Sequence, residues 1–151
     1  MEKLIPLLIV IFSLLSCQKQ QFDLTDFEVH ENSKNNSKQL NLALQSIKEN
    51  CKEGKEIFIS LPKGTYHFYE NGALQKEYYI SNHDQDNPKR VVFNFDEWEN
   101  LVFDGNGSKF IFHGRLLPFT LKNSKNCKLK NFSIDFENPH IAQVEIIENK
   151  G

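Results

Sequence analysis

Between residues 93 and 137 the chain writes one pattern of apolar and polar positions twice, 26 residues apart. Phe93-Asn94-Phe95 with Asn100-Leu101-Val102-Phe103-Asp104-Gly105 returns as Phe119-Thr120-Leu121 with Asn126-Cys127-Lys128-Leu129-Lys130-Asn131. Within each copy apolar and polar residues alternate, which is the period of a strand with one buried face. A recurrence of this length marks a stacked repeat in which no unit buries its inward face alone. Together the two signals predict an all-β solenoid, a right-handed parallel β-helix. They also predict which residues stack: Phe93 on Phe119, Phe95 on Leu121, Leu101 on Cys127 and Phe103 on Leu129, with Asp104 matched by Lys130.

Upstream of the repeat, Leu40, Leu44, Ile47 and Cys51 recur at helical spacing behind Asn36 or Ser37 as N-cap, and Gly54 stops the run. The terminal units of a solenoid are specialised to cover its open end, so this amphipathic segment is the expected N-terminal capping helix. Residues 57–61, the turn Pro62-Lys63-Gly64-Thr65 and Tyr66-His67-Phe68 then read as strand, turn and strand. Asn71-Gly72 turns the chain again and Tyr78-Tyr79-Ile80 reads as a further strand. Residues 81–89 hold no core-forming side chain. Two clean coils follow the first, and the apolar run of residues 141–147 has no cap after it. The pattern is that of a truncated solenoid.

The first residues read differently. Glu2 and Lys3 precede an apolar run from Leu4 to Leu15, too short to span a bilayer and built like an export signal. Its end, Leu14-Leu15-Ser16-Cys17, resembles a bacterial lipobox, in which cleavage before the cysteine leaves Cys17 to carry lipid. The plain alternative is a signal peptide with an incidental cysteine. The expected organisation is a lipoprotein signal peptide over residues 1–16, a tether, a short strand at residues 22–27 and a loop over 17–37, and the capping helix and first coils over 38–151. The expected location is the bacterial cell envelope, held by a lipid anchor at the outer membrane.

Composition narrows the partners. A net charge of −2 with 25% charged residues leaves no Lys/Arg stripe of the kind that neutralises phosphates, so nucleic acid is not an expected partner. Thirteen Phe against one Trp and one Met fit aromatic columns inside a β-helix. Cys51 and Cys127 read as small buried hydrophobes rather than a disulfide or metal pair.

Residues 81–89 concentrate hydrogen-bonding side chains, among them His83, Asp84 and Asp86, as a surface for sugar hydroxyls would; a solvated hairpin is the alternative. The same residues lack the glycine-anchored spacing of a calcium loop, and no metal site is expected. Leu61-Pro62-Lys63-Gly64-Thr65-Tyr66 after a capping helix resembles the opening coil of pectate-lyase-like β-helix proteins. Taken with Ile80-Ser81-Asn82-His83-Asp84-Gln85-Asp86-Asn87-Pro88, Phe110-Ile111-Phe112-His113-Gly114-Arg115 and Asn131-Phe132-Ser133-Ile134-Asp135-Phe136-Glu137-Asn138-Pro139-His140, the chain from Phe22 onward resembles the N-terminal part of glycoside hydrolase family 110.

That resemblance implies an exo-acting α-1,3-galactosidase that releases terminal galactose, including from blood-group-B-type glycans, with inversion and without a metal or other cofactor. It also implies catalytic carboxylates on later coils, beyond Gly151. Within the chain, Asp135 and Glu137 are alternate residues of one strand, about 6.6 Å apart. An inverting glycosidase separates its acid and base by roughly 6.5–9.5 Å, yet any acidic pair so spaced on a strand gives this distance, and both would approach a sugar from one side. Substrate contact is their more modest role, shared with Arg115 and His140. A β-helix polysaccharide lyase and a non-enzymatic surface carbohydrate-binding protein or adhesin are the alternatives. The lipobox carries a direct test: Cys17→Ser should abolish incorporation of a labelled fatty acid and move the protein out of the membrane fraction.

Overall fold

The computed structural model describes residues 19–79 and 87–138. Among them lie eight strands and one α-helix, in the order β1 (Gln20–Asp23), a 3-10 turn (Leu24–Phe27), α1 (Ser37–Asn50), β2 (Ile57–Ser60), β3 (Thr65–Tyr69), β4 (Leu74–Lys76), β5 (Lys89–Asn94), β6 (Leu101–His113), β7 (Leu117–Thr120) and β8 (Lys128–Phe136). Every strand pair is parallel except the β4–β5 hairpin. β6 is the centre of the larger sheet: its first half pairs with β2, its second half with β3, and β8 lies along it on the other side. A smaller sheet runs β4-β5-β7.

The 26-residue repeat is visible as register. Phe93 pairs with Phe119 and Phe103 with Leu129. After the bend at Gly105 the offset drops to 24, with Ser108 opposite Phe132 and Phe112 opposite Phe136. The earlier coil spends two more residues on that bend. Gly105 is required there, because a Cβ would stand 2.7 Å from the Phe132 Cβ and 2.8 Å from the Asn131 carbonyl oxygen. The preceding coil is longer, with Ile57 opposite Leu101 and Thr65 opposite Lys109, an offset of 44 that accommodates the β4–β5 excursion.

The turns repeat as faithfully as the strands. Glu97 and Asn123, and again Asn100 and Asn126, are 26 residues apart and all adopt the left-handed conformation, which asparagine tolerates better than most residues. Asn126 Nδ2 donates to Asn100 Oδ1 at 2.7 Å, so consecutive turns are bonded side chain to side chain. Inside, aromatic rings form columns: Phe93 stacks on Phe119 at 4.5 Å between centroids, Phe68 on Phe112 at 5.4 Å and Phe110 on Phe132 at 5.3 Å.

Helix α1 buries Leu40, Ala43, Leu44 and Ile47 and packs against β5, β3, β4 and the 3-10 turn. Its N-terminus also satisfies the edge of β3. Asn36 N–H donates to the His67 carbonyl at 2.9 Å, and Ser37 Oγ both donates to the Tyr69 carbonyl and accepts from the Tyr69 N–H. Asn36 occupies the N-cap position, but its side chain is bound to the backbone of His30 instead of to the helix.

Three expectations need correcting. The residues 22–27 hold the end of β1 and a 3-10 turn, not one strand, because the Asp23 carboxylate accepts from the Thr25 N–H and hydroxyl and curls the chain. The strand of this region is Leu74–Lys76, and Tyr78 and Tyr79 lie outside any strand, Tyr78 being drawn by its hydroxyl to Asp96. Leu121, the expected partner of Phe95, is 45% exposed, as is Ile134 at 46% although its register partner Phe110 is fully buried. Cys127 and Leu129 do pack against the core.

The register predicts a sharp contrast between neighbours on β6. Phe103→Ala, at a position with no exposed area, should cost about 3–5 kcal/mol, and Val102→Ala, on the outward side, below about 1 kcal/mol. Urea unfolding of both variants checks it.

Candidate functional site

Side by side, β3, β6 and β8 turn one row of residues outward, in which His67, Ile111 and Asp135 are neighbours across the strands; Tyr69 and His113 form the next pair, and Glu137 follows directly after β8. His113 is buried on this face. The Tyr69 ring lies on it at 4.0 Å with a 2° interplanar angle. One of its ring nitrogens, Nδ1, is 2.8 Å from Glu137 Oε2, and the other, Nε2, is 2.9 Å from His67 Nδ1. A carboxylate only accepts hydrogen bonds. His113 therefore carries a proton on Nδ1, and in the neutral ring its Nε2 accepts from the Nδ1–H of His67. One carboxylate thus sets the tautomers of two imidazoles.

Asp135 is engaged elsewhere. Lys109 Nζ stands 2.8 Å from its carboxylate, and that charge-assisted bond holds the exposed carboxyl below its ordinary pKa. Asp135 is therefore an anion at neutral pH, suited to accept a hydrogen bond and not to donate a proton. Arg115 is exposed at the turn after β6. Its backbone N–H donates to Glu70 Oε1 at 2.6 Å, and Glu70 also pairs with Arg90 at 3.4 Å. Gly114 makes this possible: at φ +92° it lets Glu70 approach to where a Cβ would stand 2.9 Å away. His83, Asp84, Asp86, His140 and Cys17 lie outside the described residues.

Two buried carboxylates organise turns away from these side chains. Asp96, 2% exposed, accepts from Lys76 Nζ at 2.9 Å, from the Tyr78 hydroxyl and from the Lys122 N–H at 2.9 Å. Burial pulls its pKa up, but these donors together outweigh burial and leave it well below the ordinary value. Asn94 Nδ2 joins the group by donating to the Tyr78 hydroxyl and to Thr120 Oγ1. Asp104 pairs with Lys130 at 2.6 Å and accepts from the Asn106 N–H and Asn131 Nδ2; the lysine above all brings its pKa down to about 2. A separate open groove of about 440 Å³ is lined by Thr25, His30, Glu31, Asn32, Ser33, Pro62 and Tyr66. There, burial and then the charges of Glu31 and Asp23 push the Tyr66 hydroxyl up to about 12, so it stays protonated and donates to the Pro62 carbonyl.

No protein-family model matches the chain. It is 52% identical over 143 residues to a protein named Alpha-1,3-galactosidase B from Phocaeicola vulgatus, a match covering 94% of this chain and 24% of that protein. Against Alpha-1,3-galactosidase B of Bacteroides fragilis the identity is 49%, with 87% of this chain and 22% of that protein covered. Against Alpha-1,3-galactosidase A of Shewanella woodyi it is 36%, with 87% and 21% covered. The chain is related to these α-1,3-galactosidases, which are glycoside hydrolases by name, and it spans less than a quarter of their length.

Sequence reasoning named Glu137 and Arg115 but gave no role to His67 or His113. Their meeting depends on the 44-residue offset of the longer coil, which no repeat announces. For the two aspartates the structure makes a pH prediction. Both folded-state pKa values lie below the ordinary 3.8, so each contributes stability that is fully present above the unfolded value and is lost as pH falls through the folded one. Urea unfolding should show stability declining from pH ~4 downward. Asp104→Asn should be less stable at neutral pH and should show a shallower decline on acidification.

Proposed function

We propose that the chain forms the N-terminal coils of an exo-acting, inverting α-1,3-galactosidase of glycoside hydrolase family 110, built as a right-handed parallel β-helix with α1 as its N-terminal cap. The observation that carries this reading is the 52% identity to an Alpha-1,3-galactosidase B across 94% of the chain. The 26-residue register, the paired left-handed turns and the ring columns support the solenoid. In this reading the substrate is a glycan ending in α-1,3-linked galactose, of the blood-group-B type, and the protein is held at the outer membrane through lipid on Cys17.

The catalytic acid and base stand on later coils. Asp135 is ion-paired to Lys109 and Glu137 is bound to His113, so each has a local partner that explains its place without catalysis. His83, Asp84, Asp86, Arg115 and His140 are proposed to contact substrate or the loops that hold it. Removing one member of an acid/base pair costs about 10²–10⁴-fold in rate, so a chain without either should release no measurable galactose.

The test is a pair of proteins assayed on galactosyl-α-1,3-galactose, with the anomer of the released sugar read by proton NMR. The chain alone should be inactive. A hybrid in which it replaces the matching segment of the Phocaeicola vulgatus relative should release galactose with the β-anomer appearing first. A folded but inactive hybrid would overturn the reading. Hydrolysis by the chain alone would place the catalytic groups inside it, and Asp135→Asn and Glu137→Gln would then identify them.

A further inference from the structure

We propose that His67 and His113 form a two-imidazole binding site for a transition-metal dication of the zinc class, which clips β3 to β6. This inference does not depend on the galactosidase reading. Two nitrogens from neighbouring strands, His67 Nδ1 and His113 Nε2, face each other at 2.9 Å. Two Zn–N bonds of about 2.0–2.1 Å at a tetrahedral angle require roughly 3.4 Å between the nitrogens. The pair needs to open by only about half an ångström to admit the ion. His67 is half-buried and can make that movement, whereas His113 is buried and held.

The ring that does not move is already prepared as a ligand. Metal-binding imidazoles nearly always donate their other N–H to a carboxylate or carbonyl, which sets the tautomer and raises the basicity of the ligating nitrogen. Glu137 does this for His113 at 2.8 Å. The result is a lone pair on Nε2 aimed at the point where the ion would sit. The stacked Tyr69 ring prevents the imidazole from turning away. Imidazole nitrogen is the donor that suits zinc, copper and nickel, not magnesium or calcium.

Among the described residues no group of three or more His, Cys, Asp or Glu side chains converges on one point. The protein's share is therefore two nitrogens, and water completes the tetrahedron. On binding, His67 changes tautomer, the proton on Nδ1 giving way to the ion and one being taken up on Nε2, while His113 keeps its own on Nδ1. Both rings stay neutral, and no net proton is released.

Zinc chloride titrated calorimetrically into the full chain tests the site, with His30, His83 and His140 changed to alanine so that only His67 and His113 of the five histidines remain. One equivalent should bind with a dissociation constant below about 1 mM. His67→Ala should weaken binding more than about tenfold, and Glu137→Gln by about 10–100-fold while leaving the stoichiometry at one. Magnesium should not bind. The absence of saturation, or unchanged affinity in His67→Ala, would overturn the proposal. Should His113→Ala lose its circular-dichroism spectrum, His67→Ala decides the matter, because that ring is half-exposed and its removal leaves the core intact.

Discussion

Parallel strands held in register oblige every inward residue to lie on the residue one coil away. That constraint governs the rest of this molecule. When the stacked residues are aromatic, the rings overlap as well as the backbones pair, and ring contacts of this kind add about 0.5–1.5 kcal/mol each beyond area burial. Phe93, Phe103, Phe110 and Phe112 each have a ring neighbour on the following coil and no exposed area. Phe119, Phe132 and Phe136 are only partly buried. Among the described residues, the last coil has aromatic neighbours on one side.

Coil length is the variable that the stacking leaves free. Offsets of 44, 26 and 24 residues all preserve the columns, since additional residues leave and rejoin the sheet at its corners. Polar chemistry gathers at those corners. The β4–β5 excursion brings Lys76 and Tyr78 to Asp96, and the missing side chain at Gly105 lets β8 approach β6 closely. The outward row of Tyr69, His113, His67 and Glu137 exists because two differently spaced coils meet on one face.

Asp96 and Asp104 act as clamps between coils. Each is a buried acceptor with donors from the next turn among its partners, Lys122 N–H for the first and Lys130 and Asn131 for the second. Burying a carboxylate is costly unless it is paired and hydrogen-bonded, and both are. Neighbouring turns are therefore fixed in distance as well as in register. The asparagine pair Asn100–Asn126 does the same with neutral groups at the adjoining corner.

The amino-acid sequence by itself determined the strands of the 26-residue repeat, the partners Phe93–Phe119 and Phe103–Leu129, and the helix, because alternation and helical spacing are local properties that burial on one face imposes residue by residue. It also carried the relation to the α-1,3-galactosidases, through long runs of shared residues. The path of residues 74–79 was decided by tertiary structure. Tyr78 has strand propensity, but a buried carboxylate 18 residues away takes its hydroxyl, and a hydrogen bond to a buried charge outweighs a propensity worth less than about 1 kcal/mol. The meeting of Glu137, His113 and His67 was likewise tertiary. Those residues lie 24 and 46 positions apart, and only the unequal lengths of two coils, which alternation does not encode, bring them onto one face.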